Sequence, residues 1–467
     1  MPKIEFYGAC ETVTGSKFII SNNDTRVMLD CGMYQGHKDE AYLKNKNFSE
    51  DIPRVDHCIL SHAHIDHSGM LPVLTRSSFT GKIYSTHPTL ELCKHMLKDS
   101  VAVFTKELSI IAKMLKKKKI HTIVEPLYTT DDVDFCMTRF KPINYGKTVQ
   151  LSDKISFTLY DSCHILGSAS IKLNISENNI SHRVWYTSDL GHDKSLLSNT
   201  PNVPIDINNL IIETTYGNKK RPEEDVVQKV MDIIIDAHKR GGKIIIPTFS
   251  VQRMQTLLLI IHKLHIMGFI PNIPIYVDSP LGVKVTKIYE KYESELNQDI
   301  ISFFTENGFE PFEGEMIHYV SSMEESKELA VSDKSMIILS ASGMCEGGHI
   351  REHLKWNLAD KNSTVMFVGY NAEGTLGRRI QDTSGTVNID GLPYRVRCKV
   401  ETIHGFSAHA DLNYIVDYVI RASRANVLRN IFLVHGDKSA SRNVKNILET
   451  KGINNIIIPE IGKSYTL

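Results

Sequence analysis

Up to about residue 215 the chain alternates apolar and polar positions in short bursts divided by turn residues: KIEFYGA, KFIISNN, TRVMLDCG, VDHCILSH, KIYST, ISFTLYDS, ASIKLNIS, HRVWYTSD and NNLIIET. A period of two, rich in β-branched and aromatic residues, predicts strands. Together they predict a mostly antiparallel, sandwich-like system of sheets. Residues 91–128 interrupt it, because HMLKDSVAVFTKELSIIAKMLKKKK repeats its apolar positions at three and four and reads as a helix. After Tyr216 the texture changes. An acidic amphipathic helix over about 222–240 leads to GGKIIIPTF, a helix through MQTLLLIIHKLH, then NIPIYVDS, a helix over about 283–297, KSMIILSASG and TVMFVGY. Continuous apolar strands that alternate with helices indicate a parallel α/β sheet. Near Tyr394 short strands return, with YRVRCKVETI, NIFLVHG and NIIIPEIG. The expected organisation is discontinuous: residues 1–215 and 395–467 form one domain, and residues 216–394 are an inserted α/β domain.

Composition then bounds the class. With 467 residues, 42% hydrophobic and 23% charged, the chain has room for two or three domains with a sizeable core, and a disordered, collagen-like or coiled-coil protein is excluded. The 54 Lys plus Arg balance the 54 Asp plus Glu, so a polyanion must be held by a local patch or by metal ions. Residues 91–119 carry eight lysines against three acids. That run is either a solvated helix end, its lysines favourable to the dipole, or a phosphate-steering patch. There is no apolar run of about 18 to 20 residues, and MPKIEFYGAC has Lys3 and Glu5 in place of a signal-peptide core. A soluble, cytoplasmic protein without a membrane partner is expected. The eight cysteines are never closer than 21 residues and form no CxxC pair, which argues against a disulfide framework or a zinc ribbon. The 20 histidines matter more, since several stand beside Asp in short groups, a donor set suited to zinc.

The densest group is Ser61-His62-Ala63-His64-Ile65-Asp66-His67, after the strand VDHCIL and before a predicted helix at SGMLPVL. In an extended segment residues two apart point the same way, so His62, His64 and Asp66 project to one side while His67 enters the turn. A spacing of two separates this from the helical HExxH arrangement. Four donors on one loop suit two ions better than one, so further donors are expected from other strand ends. His164 in DSCHILGSAS and Asp189 in YTSDLG are the candidates. Asp30 in VMLDCG is placed to orient a ligand imidazole from behind. Spacing alone does not assign each donor to its ion.

LDCG at Asp30, SHAHIDHSG at 61–69, His164 and TSDLG at Asp189, in this order, resemble the metallo-β-lactamase fold hydrolases. The resemblance implies an αββα sandwich with two zinc ions: His62, His64 and His164 on one, Asp66 and His67 on the other, and Asp189 bridging. Manganese or iron in place of zinc stays open. Glu213 in LIIETTYG, His409 in GFSAHAD and His435 in FLVHGD are similar to the three further motifs of the β-CASP nucleases. The insert's PTFSVQRMQ, VDSPLG, LSASGMCEGG and VGYNAEGTLGRR resemble the bacterial and archaeal polyadenylation-factor-type members in particular, so the likeness covers nearly the whole chain. It implies that His435 completes the second zinc site and that Glu213 and His409 form a hydrogen-bonded acid pair, with Asp66, Glu213 and His409 catalytic. A histidine at the position of His435 is typical of RNA-cutting members, which makes RNA the implied substrate. From the residues alone, GFSAHAD is a loop and helix start with Ser407 as the cap.

These readings lead to an expected function: a zinc-dependent ribonuclease that hydrolyses RNA phosphodiester bonds with two-metal-activated hydroxide, in RNA processing or degradation. The action expected is mainly endonucleolytic, with a 5′-to-3′ exonuclease mode as a further option. A DNA-processing β-CASP nuclease and a non-catalytic scaffold partner are the rivals; His435 weighs against the first and the intact set of seven ligands against the second. Single-stranded RNA is the expected partner, with a homodimer left open. The turn at Ser342, Gly343 and Met344 presents backbone N–H groups that suit a substrate phosphate, unless it is merely a structural strand-to-helix turn. Arg253 and Arg378, with Arg379 beside it, are either backbone contacts or ordinary solvated arginines. His404, His349 and His353 read as loop residues, with service to the cleft left open for the last two.

Overall fold

The computed structural model describes residues 1–48, 52–178, 180–320, 322–383 and 385–467. The chain forms two compact units, Met1–Lys220 with His409–Leu467, and Arg221–Ala408.

The first unit contains two seven-stranded sheets. One runs in the order Ser464–Thr466, Lys3–Phe6, Phe18–Ser21, Arg26–Leu29, His57–Ile59, Ile83–Ser85, Phe140–Pro142. The other runs Ile456–Ile457, Asn430–Val434, Asn209–Glu213, Ile180–Tyr186, Ala169–Glu177, Ile155–Asp161, Thr148–Ser152. Neither is mostly antiparallel, as the strand pattern suggested. The first is antiparallel as far as Arg26–Leu29 and parallel beyond it. The second is parallel as far as Ile180–Tyr186 and antiparallel beyond it. Crossover helices account for the parallel half of the first sheet: Lys38–Lys46 separates Arg26–Leu29 from His57–Ile59, and Leu71–Arg76 separates the latter from Ile83–Ser85.

The period of two places the core. Val184 and Tyr186 face the layer between the sheets with Phe6, Phe18 and Phe157, while Trp185 between them faces outward. In NIFLV both faces are apolar for the same reason. Phe432 and Val434 join the inner layer, and Ile431 and Leu433 meet the helices Leu412–Ala425 and Lys438–Thr450. The predicted long helix is His87–Lys117, started by Thr86, whose hydroxyl accepts from the Thr89 backbone N–H.

The inserted unit is built on a six-stranded sheet, Ile317–Tyr319, Ile275–Asp278, Ile337–Ser340, Ile244–Pro247, Thr364–Phe367, Lys399–Thr402. Every pairing in it is parallel. The return to the first unit comes at His409, whereas the change of texture put it at 395. YRVRCKVETI stays with the insert because Leu392–Arg395 pairs with Thr386–Ile389, and Lys399–Thr402 adds to the parallel sheet beside Thr364–Phe367. No helix among the described residues is long and apolar enough to cross a membrane.

Candidate metal centre

Strand direction gathers the expected ligands of the first unit. Arg26–Leu29 and His57–Ile59 are parallel, so Asp30 and the loop from Ser61 leave the first sheet at the same end. In the second sheet Ile155–Asp161 and Ile180–Tyr186 are both antiparallel to Ala169–Glu177 and thus share a direction. Asn209–Glu213 and Asn430–Val434 run parallel to Ile180–Tyr186. His164, Asp189, Glu213 and His435 therefore emerge at one edge. The ligand loop itself departs from the expected extended run. His62 and His64 alternate as in a strand, but His64 begins a helical turn, Ile65–Ser68, and Asp66 and His67 project from that turn.

Two donor sets result. In the first, His62 Nε2 lies 3.1 Å from His64 Nδ1, and His164 Nε2 lies 3.2 Å from the same nitrogen. Asp189 Oδ2 closes the group at 3.5 Å from His62 Nε2 and 3.4 Å from His164 Nε2. In the second, His67 Nε2 is 3.2 Å from His435 Nε2, which is 3.4 Å from Asp66 Oδ2. The other oxygen of Asp189, Oδ1, lies 3.1 Å from His67 Nε2 and has no hydrogen-bond partner among the described residues. Donors about 2.0 to 2.1 Å from a tetrahedral zinc stand about 3.3 Å apart. The observed spacings match that edge length, and Asp189 turns one oxygen to each set.

Protonation supports the same fit. Burial pushes His64 down to about 3 and lowers His62 and His164, so all three imidazoles are neutral and offer lone pairs at neutral pH. Burial raises Asp66, but its hydrogen bond to His435 and the neighbouring imidazoles outweigh that and hold it below the usual carboxylate range. Burial is likewise overcome at Asp189 by His435, His67 and His409, which keep it ionised. Neutral imidazoles beside an ionised carboxylate in the first set are what a divalent cation requires, whereas at His67 burial is outweighed by the charges of Asp189 and Asp30, which raise the pKa, so a cation there displaces a proton.

Behind the donors lies a layer of hydrogen bonds. His67 Nδ1 donates to Asp30 Oδ2 at 2.7 Å, leaving Nε2 to the second set. Asp30 Oδ2 also accepts from the Tyr186 hydroxyl at 2.7 Å and the Ser61 hydroxyl at 2.9 Å, while Oδ1 accepts from the Ser61 backbone N–H at 2.7 Å. The Ser188 hydroxyl donates to Ser61 Oγ at 2.6 Å and lies 3.2 Å from His62 Nδ1. Thr215 Oγ1 sits 3.0 Å from His435 Nδ1 and bonds the His435 carbonyl. Tyr186, Ser188 and Thr215 were not foreseen. A hydroxyl residue beside each ligand motif, in YTSD and ETTYG, was the available signal.

The Glu213–His409 pair forms at the rim. Glu213 Oε1 lies 3.0 Å from His409 Nδ1 and accepts from the Leu190 backbone N–H at 2.7 Å, while Oε2 accepts from that of Thr215 at 3.1 Å. His409 Nε2 is 3.9 Å from Asp189 Oδ2, and the His409 side chain is 20% exposed. Burial lowers the pKa of His409, but the charges of Glu213 and Asp189 prevail and raise it to about 10. The helix after this loop is capped by Asp411, whose side chain accepts from the Tyr414 backbone N–H, and not by Ser407.

The expected phosphate contacts lie in the inserted unit. Ser342, Gly343 and Met344 form a turn after Ile337–Ser340, with the Ser342 hydroxyl bonded to the Gly347 carbonyl. Arg253 opens the helix Arg253–Ile266, and Arg378 is ion-paired with Asp382 at 2.7 Å. The His404 backbone N–H is bound to Glu224. His349 and His353 both bind the buried carboxylate of Asp278, at 2.7 and 2.5 Å, and together pin the helix Ile350–Asn357 to the sheet.

Three domain families match the chain. A metallo-β-lactamase superfamily domain covers residues 19–203, a Beta-Casp domain 254–380, and a Zn-dependent metallo-hydrolase RNA specificity domain 393–459. The chain is 31% identical over 451 residues to Ribonuclease TTHA0252 of Thermus thermophilus, covering 96% of both proteins. It is 32% identical over 448 residues to Transcription termination factor FttA of Methanocaldococcus jannaschii, covering 94% of this chain and 67% of that protein. A crystal structure of a protein of unknown function from Enterococcus faecalis V583 shares the fold, with a TM-score of 0.52 and 12% identity over 100% of both chains. Motif order, donor geometry and full-length similarity agree: the chain belongs to the β-CASP branch of the metallo-β-lactamase superfamily, a family of metal-dependent hydrolases.

Proposed function

We propose that the protein is a zinc-dependent ribonuclease that hydrolyses phosphodiester bonds of single-stranded RNA in the cytoplasm, mainly endonucleolytically, with a 5′-to-3′ exonuclease mode. Its centre takes two ions: His62, His64, His164 and Asp189 hold one, and Asp66, His67, His435 and Asp189 the other. Such a pair lowers the pKa of water and neutralises charge that builds on a phosphoryl oxygen. The chain's own groups do the rest. Asp66 and Asp189, both ionised, orient the attacking water on one side of phosphorus. His409 carries the proton to be given to the departing oxygen, and Glu213 fixes its ring through Nδ1 so that Nε2 faces the reaction. The observation that carries this reading is the Glu213–His409 pair, set 3.9 Å from the carboxylate shared by both donor sets. A scaffold without catalysis has no use for an imidazole aimed there by a buried carboxylate.

RNA as the substrate is supported by His435 in the second donor set, by the RNA specificity domain match and by the relative named a ribonuclease. The test is cleavage of end-labelled single-stranded RNA and matched DNA, with metal analysis of the same protein. Loaded wild type should hold about two metals, cut RNA in preference to DNA, and leave 5′-phosphate and 3′-hydroxyl ends; Asp66→Asn and His409→Ala should be deficient. Equal cutting of DNA, or 2′,3′-cyclic phosphate ends, would overturn the proposal. No cleavage of either polymer would favour the scaffold.

A further inference from the structure

Single exposed apolar residues are ordinary, but aromatics at the ligand-binding edge of a parallel sheet invite a role. In the inserted unit Phe249 is 39% exposed and Tyr370 54% exposed. Both follow the C-terminal ends of neighbouring parallel strands, Ile244–Pro247 and Thr364–Phe367. Ligands of open parallel α/β sheets bind at that edge, because the loops there diverge and their N–H groups face outward.

Phe249 is held along one ring edge and over one face. A Cβ at Gly343 would stand 2.9 Å from two carbons of the ring, so only glycine lets the Ser342–Met344 turn close against it. The Arg253 guanidinium lies over the ring, 5.1 Å from its centroid. That guanidinium is itself received by a glycine, since a Cβ at Gly369 would be 2.1 Å from one of its nitrogens. Two glycines on separate loops thus allow Phe249 and Arg253 to pack as one unit, with Tyr370 next in the chain. Two aromatic side chains are far too small for a protein interface, which needs about 1,000 Å². They suit one planar heterocycle, with a positive charge beside it for the adjoining phosphate.

We propose that Phe249, held by Gly343 along one ring edge and by Arg253 over one face, is a stacking platform for an unpaired RNA base on its other face, with Tyr370 on the neighbouring loop. The proposal rests on RNA being the substrate. It adds a contact that holds a base, where the metal centre addresses only phosphate. Every base has a π-face, so the platform selects unpaired nucleotides without selecting sequence.

The test uses the full-length, metal-loaded enzyme and one single-stranded RNA, intact or with a single abasic nucleotide placed at successive positions. With wild type, removal of the base that the platform holds should raise KM roughly 5- to 150-fold, the range for a lost base–aromatic stack. Phe249→Leu should raise KM on intact RNA by a similar factor and lose the sensitivity to base removal. Phe249→Trp, which keeps an aromatic face, should retain it. Wild-type cleavage that is indifferent to base removal everywhere, or a Phe249→Leu enzyme with the wild-type abasic pattern, overturns the platform alone. Loaded wild type that cuts no RNA overturns the substrate reading, and the platform with it.

Discussion

Asp30→Asn exchanges one oxygen for an amide nitrogen and removes the charge behind His67. The four groups around the Asp30 carboxylate all donate: the Ser61 N–H to Oδ1, and His67 Nδ1, the Ser61 hydroxyl and the Tyr186 hydroxyl to Oδ2. Hydroxyls can turn and accept instead; the Ser61 N–H cannot, and His67 can do so only by moving its proton to Nε2. Because these two face different oxygens, either orientation of the asparagine sets its NH2 against one of them. If His67 is the loser, it keeps an unpaired buried N–H or shifts its proton to the nitrogen that the second donor set uses. An unpaired buried donor costs about 1 to 3 kcal/mol, and loss of a partner behind a metal-bound histidine weakens metal affinity about 10- to 100-fold. On the proposed two-zinc reading, the expected outcome is a variant with wild-type circular dichroism, a lowered unfolding midpoint without metal, and one of the two ions lost to a chromophoric chelator at about 10- to 100-fold lower chelator concentration. A release curve and a metal-free unfolding midpoint both superimposable on wild type would refute the argument, because neither His67 nor the Ser61 N–H would then depend on the Asp30 carboxylate.

Glu213→Gln removes the carboxylate whose charge raises His409 to about 10. Cleavage of RNA should slow about 100- to 10,000-fold, the usual worth of a general acid, whereas an aryl phosphodiester whose leaving oxygen needs no proton should lose far less; equal losses would remove His409 from that role. In the inserted unit, burial lowers Lys243 to about 8 from 10.5. The unfolded chain therefore binds more protons between these values, and stability gains from this residue as pH rises through the window. The stability of Lys243→Met relative to wild type should thus be about 2 kcal/mol more favourable at pH 7 than at pH 10, measured by denaturant unfolding; a difference independent of pH would contradict the assignment. The balanced charge, 54 basic against 54 acidic residues, predicts weak non-specific RNA affinity. The log–log slope of affinity against salt should be shallower than about −3, the value for roughly four neutralised phosphates on a single strand, and a steeper slope would mean that the Lys-rich helix end carries the binding.

What could be seen in the sequence was the chemistry that is local. His62, His64, Asp66 and His67 lie within six residues of one another, and the small-residue turns at His164 and Asp189 mark strand ends without knowledge of the partner strands. Pairing was not visible. YRVRCKVETI has the period of a strand in either unit, and nothing in that period says that Lys399–Thr402 joins the insert's sheet. Tyr186 is 156 positions from Asp30 and reads as one more apolar residue of HRVWYTSD; its hydroxyl acquires a role only when the two sheets face each other.

Backbone strain was also hidden. Asp30, Cys163, Ser188 and His435 have φ of 57°, 60°, 56° and 49°, a conformation that costs a residue with a Cβ about 1 to 2 kcal/mol and that glycine would adopt freely. Each stands at or just beyond a strand end, and each is a proposed ligand, the residue before one, or the support of one. Glycine would relieve the strain, but at Asp30, Ser188 and His435 it would remove the carboxylate, the hydroxyl and the imidazole that the centre uses. These bends turn the chain at the strand ends where His67, His164, Asp189 and His435 meet. The same edge that reads from sequence as a set of unremarkable turns is therefore where folding free energy has been given up to hold seven donors in one buried space.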